Sequence, residues 1–275
     1  MGLGAIIIMD ALGFKGIWAR EDARKVLNRM KSFRREGIKL QGEDHCGVLL
    51  NDYGFRHRVR CMSDTIVVTV ALKGRDAPRR ALYRAMLSAS LIAGSIIWDA
   101  LYGSPVLLFR GCLAAGEMKE ESDFLIGPAV DEAAERYETA DGPFLWLAPS
   151  AIDIRNRYAE TYMDRIEPTI MLPHTVPLKN GDSVETLTYT YFQLTRETDA
   201  RAETKRRLMQ AFGEGPLTPN VKTKKKNIAA FLNHVERIAK DKSWMREDIT
   251  YRRPEWKDLS VSQKLQLASL GIRRS

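Results

Sequence analysis

The stretch Ala5-Ile6-Ile7-Ile8-Met9-Asp10-Ala11-Leu12-Gly13-Phe14-Lys15 is a short apolar run that ends in a carboxylate and a glycine-containing turn. A second stretch, Arg60-Cys61-Met62-Ser63-Asp64-Thr65-Ile66-Val67-Val68-Thr69-Val70, places a carboxylate at the start of a β-branched run. Apolar and β-branched runs of this length predict strands, the first of them fully buried. Each Asp therefore lies at the end of a predicted strand.

Asp10 and Asp64 are candidate metal ligands because of this placement. Carboxylates from two neighbouring strands that face one cleft can hold two hard divalent cations, which prefer oxygen ligands and leave positions open for phosphate. The turn after Asp10 can present backbone N–H groups to a polyphosphate. An Asp after a strand is also a common turn former or helix N-cap, and such turns occur in many proteins that bind no nucleotide. The two residues alone leave both interpretations open.

Composition and length indicate a globular protein with one sizeable domain and an appendage. The chain has 275 residues, of which 44% are hydrophobic and 28% charged, as is ordinary for globular domains. The longest weakly polar stretch, residues 87–101, is too short to span a bilayer, and the N-terminus has no basic region before its apolar residues. We therefore expect no membrane span and a cytoplasmic location. Three scattered Cys and four His without ligand spacing argue against disulfides and a structural zinc.

The basic charge of the chain is concentrated in its last quarter. Residues 201–275 contain 18 Lys and Arg side chains against eight Asp and Glu, whereas the net charge of the whole chain is +8. A basic tail can contact nucleic acid, anionic lipid or an acidic partner, although it is more often a solvated face.

The order of the predicted elements indicates an α+β domain with adjacent hairpins rather than alternating βαβ units. Strands are predicted at residues 4–9, 55–61, 65–72, 106–115, 144–147 and 185–194. Helices are predicted at residues 14–37, 76–102, 127–137, 150–162, 199–212, 227–240 and 260–270. Because the composition changes after Arg196, we predict a domain over residues 1–198 and a basic helical extension over residues 199–275.

Four motifs, in this order, resemble the catalytic domain of class III nucleotidyl cyclases. They resemble most closely the short bacterial pyrimidine cyclases of the Pycsar antiphage system. The motifs are residues 8–14 with an Asp-x-x-Gly-Phe pattern, residues 62–65 with Ser-Asp, Arg110-Gly111 followed by Gly116, and residues 126–134. The resemblance covers about residues 4–195. It implies a ferredoxin-like antiparallel sheet with helices on one face, and a head-to-tail homodimer with two active sites at its interface.

The resemblance also implies a reaction and its metal ligands. Asp10 and Asp64 would bind two Mg²⁺ or Mn²⁺ ions, with the backbone carbonyl of Ala11 as an extra ligand, and Gly13 and Phe14 would lie in the turn around the triphosphate. The implied reaction converts UTP or CTP to 3′,5′-cyclic UMP or CMP and pyrophosphate. The product would act as a second messenger on a separate effector protein.

Two positions are implied to contact the base. Arg60 lies four residues before the second metal-binding Asp, and its guanidinium donors suit the carbonyl oxygens of uracil, or O2 and N3 of cytosine. Phe124 lies three residues before the glycine that precedes the predicted helix, where its ring can stack on a base or fill space. The alternative for Arg60 is an exposed charge on an edge strand.

The predicted helix at 127–137 departs from the family pattern. The family has Asn and Arg where this chain has Asp131 and Glu135, and neither can do the same job. By its position, the resemblance still implies that Asp131 contacts the nucleotide. Arg136 could supply the missing positive charge, although one residue of offset turns it about 100° round the helix. Arg110 can equally be structural, serving strand pairing.

These departures leave three functions open: a pyrimidine cyclase, an inactive cyclase-like module that binds nucleotides or regulates, and a protein that binds nucleic acid through its basic tail. We favour the cyclase and consider a nucleic-acid partner unlikely.

Overall fold

The computed structural model describes residues 1–14, 17, 21–42, 55–73, 80–122, 124–158, 167–191, 198–213 and 216–241. The strands are β1 (Gly2–Leu12), β2 (Phe55–Met62), β3 (Thr65–Leu72), β4 (Leu108–Glu121), β5 (Phe124–Ile126), β6 (Leu145–Leu147), β7 (Met171–Pro177) and β8 (Ser183–Tyr189). The helices are α1 (Ala23–Gly42), α2 (Arg80–Tyr102), α3 (Pro128–Arg136), α4 (Pro149–Tyr158), α5 (Glu167–Ile170), α6 (Thr198–Gln210) and α7 (Pro219–Asp241).

The apolar run at the start of the chain forms a central strand of one open sheet. The strand order is β2-β3-β1-β4-β6-β8-β7, and β5 pairs with the far end of β4. Strand β1 lies antiparallel to both β3 and β4, and β4 and β6 are parallel. Side chains on both faces of β1 are buried, Ile6 and Ile7 completely. The strand lies between β3 and β4, and α2 and α3 pack on it.

Helix α2 forms the core of the helical layer. It packs on β1, β3 and β4 and contacts α1 and α4, so that most of its side chains are buried. It is also the one helix in the described part of the chain that is long and apolar enough to cross a membrane. Its burial against the sheet accounts for that composition without a bilayer. The predicted fold class, α+β with a largely antiparallel sheet and a C-terminal helical extension, is confirmed.

Several predicted boundaries were wrong for local reasons. Helix α1 begins at Ala23 rather than residue 14, because the Asp22 carboxylate caps it by accepting the backbone N–H bonds of Arg24 and Lys25 at 2.9 and 3.1 Å. Helix α7 begins at Pro219 rather than residue 227, because proline is favoured in a first turn and the lysine run continues the helix.

Two strands, β5 and β7, were missed and one was predicted too short. Strand β7 contains Pro173 and Pro177, which conceal the strand pattern but are tolerated at the edge of a sheet. Strand β4 continues past residue 115 to Glu121 and turns back as β5. The predicted helix at 260–270 lies outside the described residues, and the boundary at residue 198 stays a prediction.

The C-terminal extension contacts the core through α7. Its buried residues are Ile228, Phe231, Leu232 and Val235, and α7 packs on β7. His174 of β7 lies with its ring centroid 4.7 Å from that of Phe231 and 6.0 Å from that of His234. Burial and, to a smaller extent, repulsion from His234 together lower the pKa of His174 to about 4.

This histidine predicts a pH-dependent stability. The folded-state pKa lies below the ordinary 6.5, so the unfolded chain takes up the proton first as the pH falls. We expect the free energy of unfolding to decrease between pH 6.5 and 4 by at most about 1.4 kcal/mol per pH unit from this group, and no further below pH 4. Urea unfolding of the wild type and His174→Phe across this range measures the contribution. Identical pH profiles for the two proteins would contradict it.

Candidate active site

Asp10 and Asp64 lie at adjacent strand ends, as predicted. Asp10 is near the end of β1, directly opposite Thr65 of β3, and Asp64 lies in the two-residue turn between β2 and β3. The backbone N–H of Ala11 donates to the backbone carbonyl of Asp64 at 3.0 Å. The two segments that carry the carboxylates are thus hydrogen-bonded to each other through the main chain.

Arg110 makes a bidentate pair with Asp10. The register of β1 and β4 places the two residues opposite each other. Arg110 Nε and Nη2 donate to the two carboxylate oxygens at 2.9 and 3.0 Å, and both residues are buried. Burial raises the pKa of Asp10 above its ordinary value, and the charges of Glu138 and Asp64 act in the same direction, against the lowering effect of Arg110. Arg110 thus connects β4 to β1, which is the structural role considered above for this residue. It also contacts the candidate metal ligand Asp10.

The end of α3 and the β7–β8 turn complete the charged group around Asp10. Glu138 Oε2 lies 3.8 Å from Arg110 Nη2 and 3.8 Å from Lys179 Nζ. Tyr137 donates its hydroxyl to Glu138 at 2.8 Å, and this bond raises the pKa of Tyr137 to about 12, with Asp10 and Asp64 contributing. Burial and the nearby Arg110 lower the pKa of Lys179. Opposite charges therefore alternate from Asp10 to Lys179.

Beyond Lys179, helix α7 adds one more cation to this group. Lys224 Nζ lies 3.4 Å from the carboxylate of Asp141, and its charge also lowers the pKa of Lys179. The side chain of Asn227 donates to the Asp141 carbonyl at 2.7 Å. The extension therefore reaches the edge of the candidate site.

The turn after Asp10 has a backbone conformation that favours glycine. Gly13 has φ of +72°, a left-handed conformation that side chains disfavour. Gly13 is exposed, whereas Phe14 is buried and its N–H donates to the Ala11 carbonyl at 3.4 Å. Phe14 therefore anchors the turn in the core.

Arg60 and Phe124 belong to one neighbourhood at the far end of β4. Arg60 Nη2 donates to the carbonyl of Ser122 at 3.0 Å, and Nη1 lies 2.5 Å from Glu120 Oε1. Phe124 opens β5 two residues later and has 76% of its surface exposed. A planar donor group thus contacts Ser122, two residues before an exposed aromatic ring.

The remaining predicted residues lie on α3. Asp131 is exposed in the first turn of the helix. Arg136 lies 3.8 Å from Glu132 and 3.7 Å from Glu135, both on its own helix. Tyr137 and Glu138, which directly follow α3, come nearer to the carboxylates, because Glu138 lies 3.8 Å from Arg110.

The donor set around Asp10 and Asp64 fits hard divalent cations. Two carboxylates and the carbonyl of Ala11 are oxygen ligands of the kind that Mg²⁺ and Mn²⁺ prefer. A cation between the carboxylates would also relieve the repulsion that helps to raise the pKa of Asp10. Among the described residues, no group of three or more His, Cys, Asp or Glu side chains could hold a metal alone. The rest of the coordination sphere would come from substrate phosphate and water.

No protein-family model matches the chain, and no curated protein matches it. Solved structures do match its fold. A guanylyl cyclase domain of the RhoGC fusion protein from the aquatic fungus Blastocladiella emersonii is 12% identical, covering 69% of this chain and 96% of that one, with a TM-score of 0.47. The guanylate cyclase domain of RhGC from Catenaria anguillulae is 13% identical, covering 68% and 96%, with a TM-score of 0.45.

The adenylyl cyclase CyaB from P. aeruginosa is 10% identical, covering 68% of this chain and 93% of that one, with a TM-score of 0.42. All three are nucleotide cyclases. The likeness is one of fold, and at these scores nothing about the activity of this chain follows from it.

Sequence reasoning missed Glu138, Tyr137 and Lys179. A turn signal, Lys179-Asn180-Gly181, marks the last of them, but no local pattern shows that this turn lies beside Asp10. Arg110 belongs to the Arg110-Gly111 motif, but only the pairing of β1 with β4 places it opposite Asp10.

Proposed function

We propose that this chain is a nucleotidyl cyclase that acts on a pyrimidine nucleoside triphosphate. The observation that carries the proposal is the pair of carboxylates, Asp10 and Asp64, on strand ends that the Ala11–Asp64 hydrogen bond joins. The glycine turn that follows Asp10 and the order of the four motifs support it. The product would be cyclic UMP or CMP, a second messenger in antiphage defence that acts on a separate effector.

Each group in the site has a task in this chemistry. Asp10, Asp64 and the Ala11 carbonyl would hold two Mg²⁺ or Mn²⁺ ions, which supply activation of the ribose 3′-hydroxyl and neutralisation of the departing pyrophosphate. The turn at Gly13 and Phe14 would place backbone N–H groups toward the triphosphate. Arg110, which pairs with Asp10, and Lys179, which lies near Glu138, provide cationic donors suited to phosphate oxygens.

Arg110 must change partner during such a reaction. Both oxygens of Asp10 accept hydrogen bonds from Arg110, and these are the atoms that a metal would use. A nucleotide phosphate offers the guanidinium an equivalent bidentate acceptor. We infer that substrate with its metals releases Asp10 from this pair.

Base preference would reside at Arg60 and Phe124. Guanidinium donors match the carbonyl oxygens of a pyrimidine better than the amino edge of adenine, and the exposed ring of Phe124 offers a stacking surface. Asp131 and Arg136 remain candidates for nucleotide contact from α3, Arg136 as a catalytic cation.

Incubation of the purified full chain with Mn²⁺ and each of ATP, GTP, CTP and UTP tests the proposal. We expect mass spectrometry to detect a cyclic monophosphate from UTP or CTP, and none when a chelator removes the metal. A cyclic purine product would keep the cyclase but refute the pyrimidine preference. Absence of any cyclic product would refute the cyclase.

The resemblance also implies a homodimer, and β5 offers an apolar surface for it. Ile126 and Phe124 are 59% and 76% exposed on this short strand. A carboxylate buried in a subunit interface is costly, so we expect Ile126→Asp to convert a dimer to a monomer by light scattering. Leu27→Asp on α1, where Leu27 is 52% exposed, is the control and should remain dimeric. A monomeric wild type would contradict the prediction.

A second candidate, an inactive cyclase-like module, has one observation in its favour. Arg110 occupies both carboxylate oxygens of the buried Asp10, and α3 carries Asp131 and Glu135 at the positions described above. Such a module would bind nucleotide without releasing pyrophosphate. The same incubation separates the two functions when nucleotide binding is measured beside product formation.

A further inference from the structure

Three arginines on β2 converge on one buried carboxylate. Arg56, Arg58 and Arg60 lie on the same face of β2 because successive side chains alternate between the faces of a strand. Their guanidinium nitrogens lie 3.7, 3.7 and 2.5 Å from the carboxylate of Glu120, near the end of β4. The Glu120 side chain is 1% exposed. Arg60 is both the closest of the three and the least exposed, at 17%.

Three arginines are more than the neutralisation of one buried carboxylate requires. One arginine would balance the charge of Glu120, yet three surround it, which leaves two positive charges in excess. Thr69 donates to Glu120 Oε1 at 3.3 Å, and Glu120 Oε2 is buried with no hydrogen-bond partner in the described part of the chain. A buried carboxylate with incomplete hydrogen bonding stabilises a fold poorly. The position of Glu120 is better explained by its contact with Arg60, which restricts where the Arg60 guanidinium lies.

Glu120 and the adjacent turn hold the Arg60 guanidinium at two points. Nη1 lies against Glu120, and Nη2 donates to the carbonyl of Ser122. Both contacts come from residues that shortly precede Phe124 in the chain. A guanidinium has five N–H donors. Those of Nη1 are buried against Glu120, so the donors for a ligand would come from Nε and Nη2. The two contacts therefore tie a planar donor group to the segment that leads into the exposed Phe124 ring.

We propose that Glu120 is the positioning residue through which Arg60 selects a pyrimidine base. The inference rests on the proposed function, since it takes Arg60 and Phe124 as the base-contacting pair. Arg60 donates to the carbonyl oxygens of the base, and Glu120 fixes the direction of those donors before the nucleotide arrives. Preorganised donors discriminate between bases more sharply than mobile ones.

The test compares wild type and Glu120→Gln of the full chain. Calorimetry with Mn²⁺ measures the binding of the 3′-deoxy analogues of the four triphosphates, which lack the attacking hydroxyl. We expect the variant to bind the preferred pyrimidine analogue about 10-fold more weakly and the purine analogues unchanged. With the natural triphosphate, KM should rise by the same factor while kcat stays within about twofold.

Two further comparisons separate positioning from a structural role. Glu121→Gln removes the neighbouring carboxylate, which is 72% exposed and pairs with Lys119 at 3.1 Å, and should change nothing. In an Arg60→Ala background, Glu120→Gln should produce no further change in base preference, because its effect passes through Arg60. Should Glu120→Gln fail to fold, Glu120→Asp keeps the charge and should show a smaller loss of preference.

The outcomes distinguish this inference from the proposed function. Unchanged base preference in Glu120→Gln, an equal loss for all four analogues, or an effect that persists without Arg60 would overturn the positioning role. A cyclic product with unchanged preference leaves the cyclase intact and refutes the role of Glu120. Altered preference without any product supports the role of Glu120 and refutes the cyclase. A wild type that binds no analogue refutes both.

Discussion

Asp64→Asn should reduce cyclic nucleotide formation by about 1,000-fold or more. Catalysis of this kind depends on positioning and charge compensation, so the loss of one metal-binding carboxylate removes most of the rate enhancement. The fold should survive the substitution, because the backbone carbonyl of Asp64, not its side chain, accepts the hydrogen bond from Ala11. Initial rates with saturating Mn²⁺ and the preferred triphosphate measure the effect.

The matched control removes a carboxylate elsewhere on the surface. Asp153 lies on α4, is 53% exposed and pairs with Arg157 at 2.7 Å. We expect Asp153→Asn to retain the wild-type rate within about twofold, because surface ion pairs contribute little. A rate for Asp64→Asn within tenfold of that control would show that Asp64 does not bind an essential metal.

Glu167→Ala should lower the free energy of unfolding by about 3–5 kcal/mol. Glu167 lies on α5, is 6% exposed and joins three helices. It accepts the hydroxyl of Tyr83 on α2 at 2.6 Å, and Nε and Nη2 of Arg155 on α4 at 3.0 and 2.7 Å. The loss is large because the buried Tyr83 hydroxyl loses this acceptor and Arg155, whose side chain is 37% exposed, loses its counter-charge.

Urea unfolding with an unchanged m-value measures this loss. Glu167→Gln keeps an acceptor for Tyr83 but removes the charge, so its loss should be smaller than that of alanine. Glu185→Ala, at an exposed position of β8, should stay within about 0.5 kcal/mol of the wild type. A loss below about 1 kcal/mol for Glu167→Ala would mean that the three helices do not depend on this carboxylate.

Much of the fold follows from local patterns in the chain. Runs with few polar residues predicted β1 and β3, and the Asp10 and Asp64 positions at their ends, because strand formation here is decided by consecutive β-branched and apolar residues. The long helix after residue 76 was predicted from the start signal Asp76-Ala77-Pro78 and the stop signal Gly103-Ser104-Pro105. Local signals failed at β7, where Pro173 and Pro177 hide an edge strand, and at α1, where Asp22 caps the helix later than its apolar stripe suggested.

The candidate site could be predicted only in part. Asp10, Ala11, Gly13 and Phe14 are neighbours in sequence, and a hairpin brings Asp64 to them. Lys179 and Glu138 belong to segments far from Asp10 in the sequence. No local sequence pattern predicts that these two residues lie close to each other. Their proximity depends on how α3 and the β7–β8 hairpin pack against the sheet.

By itself, the sequence determined the α+β class, the central strand and the two strand-end carboxylates, because each depends on short-range polarity patterns. Only the tertiary structure decided their partners. The antiparallel register of β1 with β4 sets Arg110 against Asp10, and the extension of β4 beyond residue 115 sets Glu120 beneath Arg60. Register and strand length are set by packing across the sheet, where residues 60 to 100 positions apart meet.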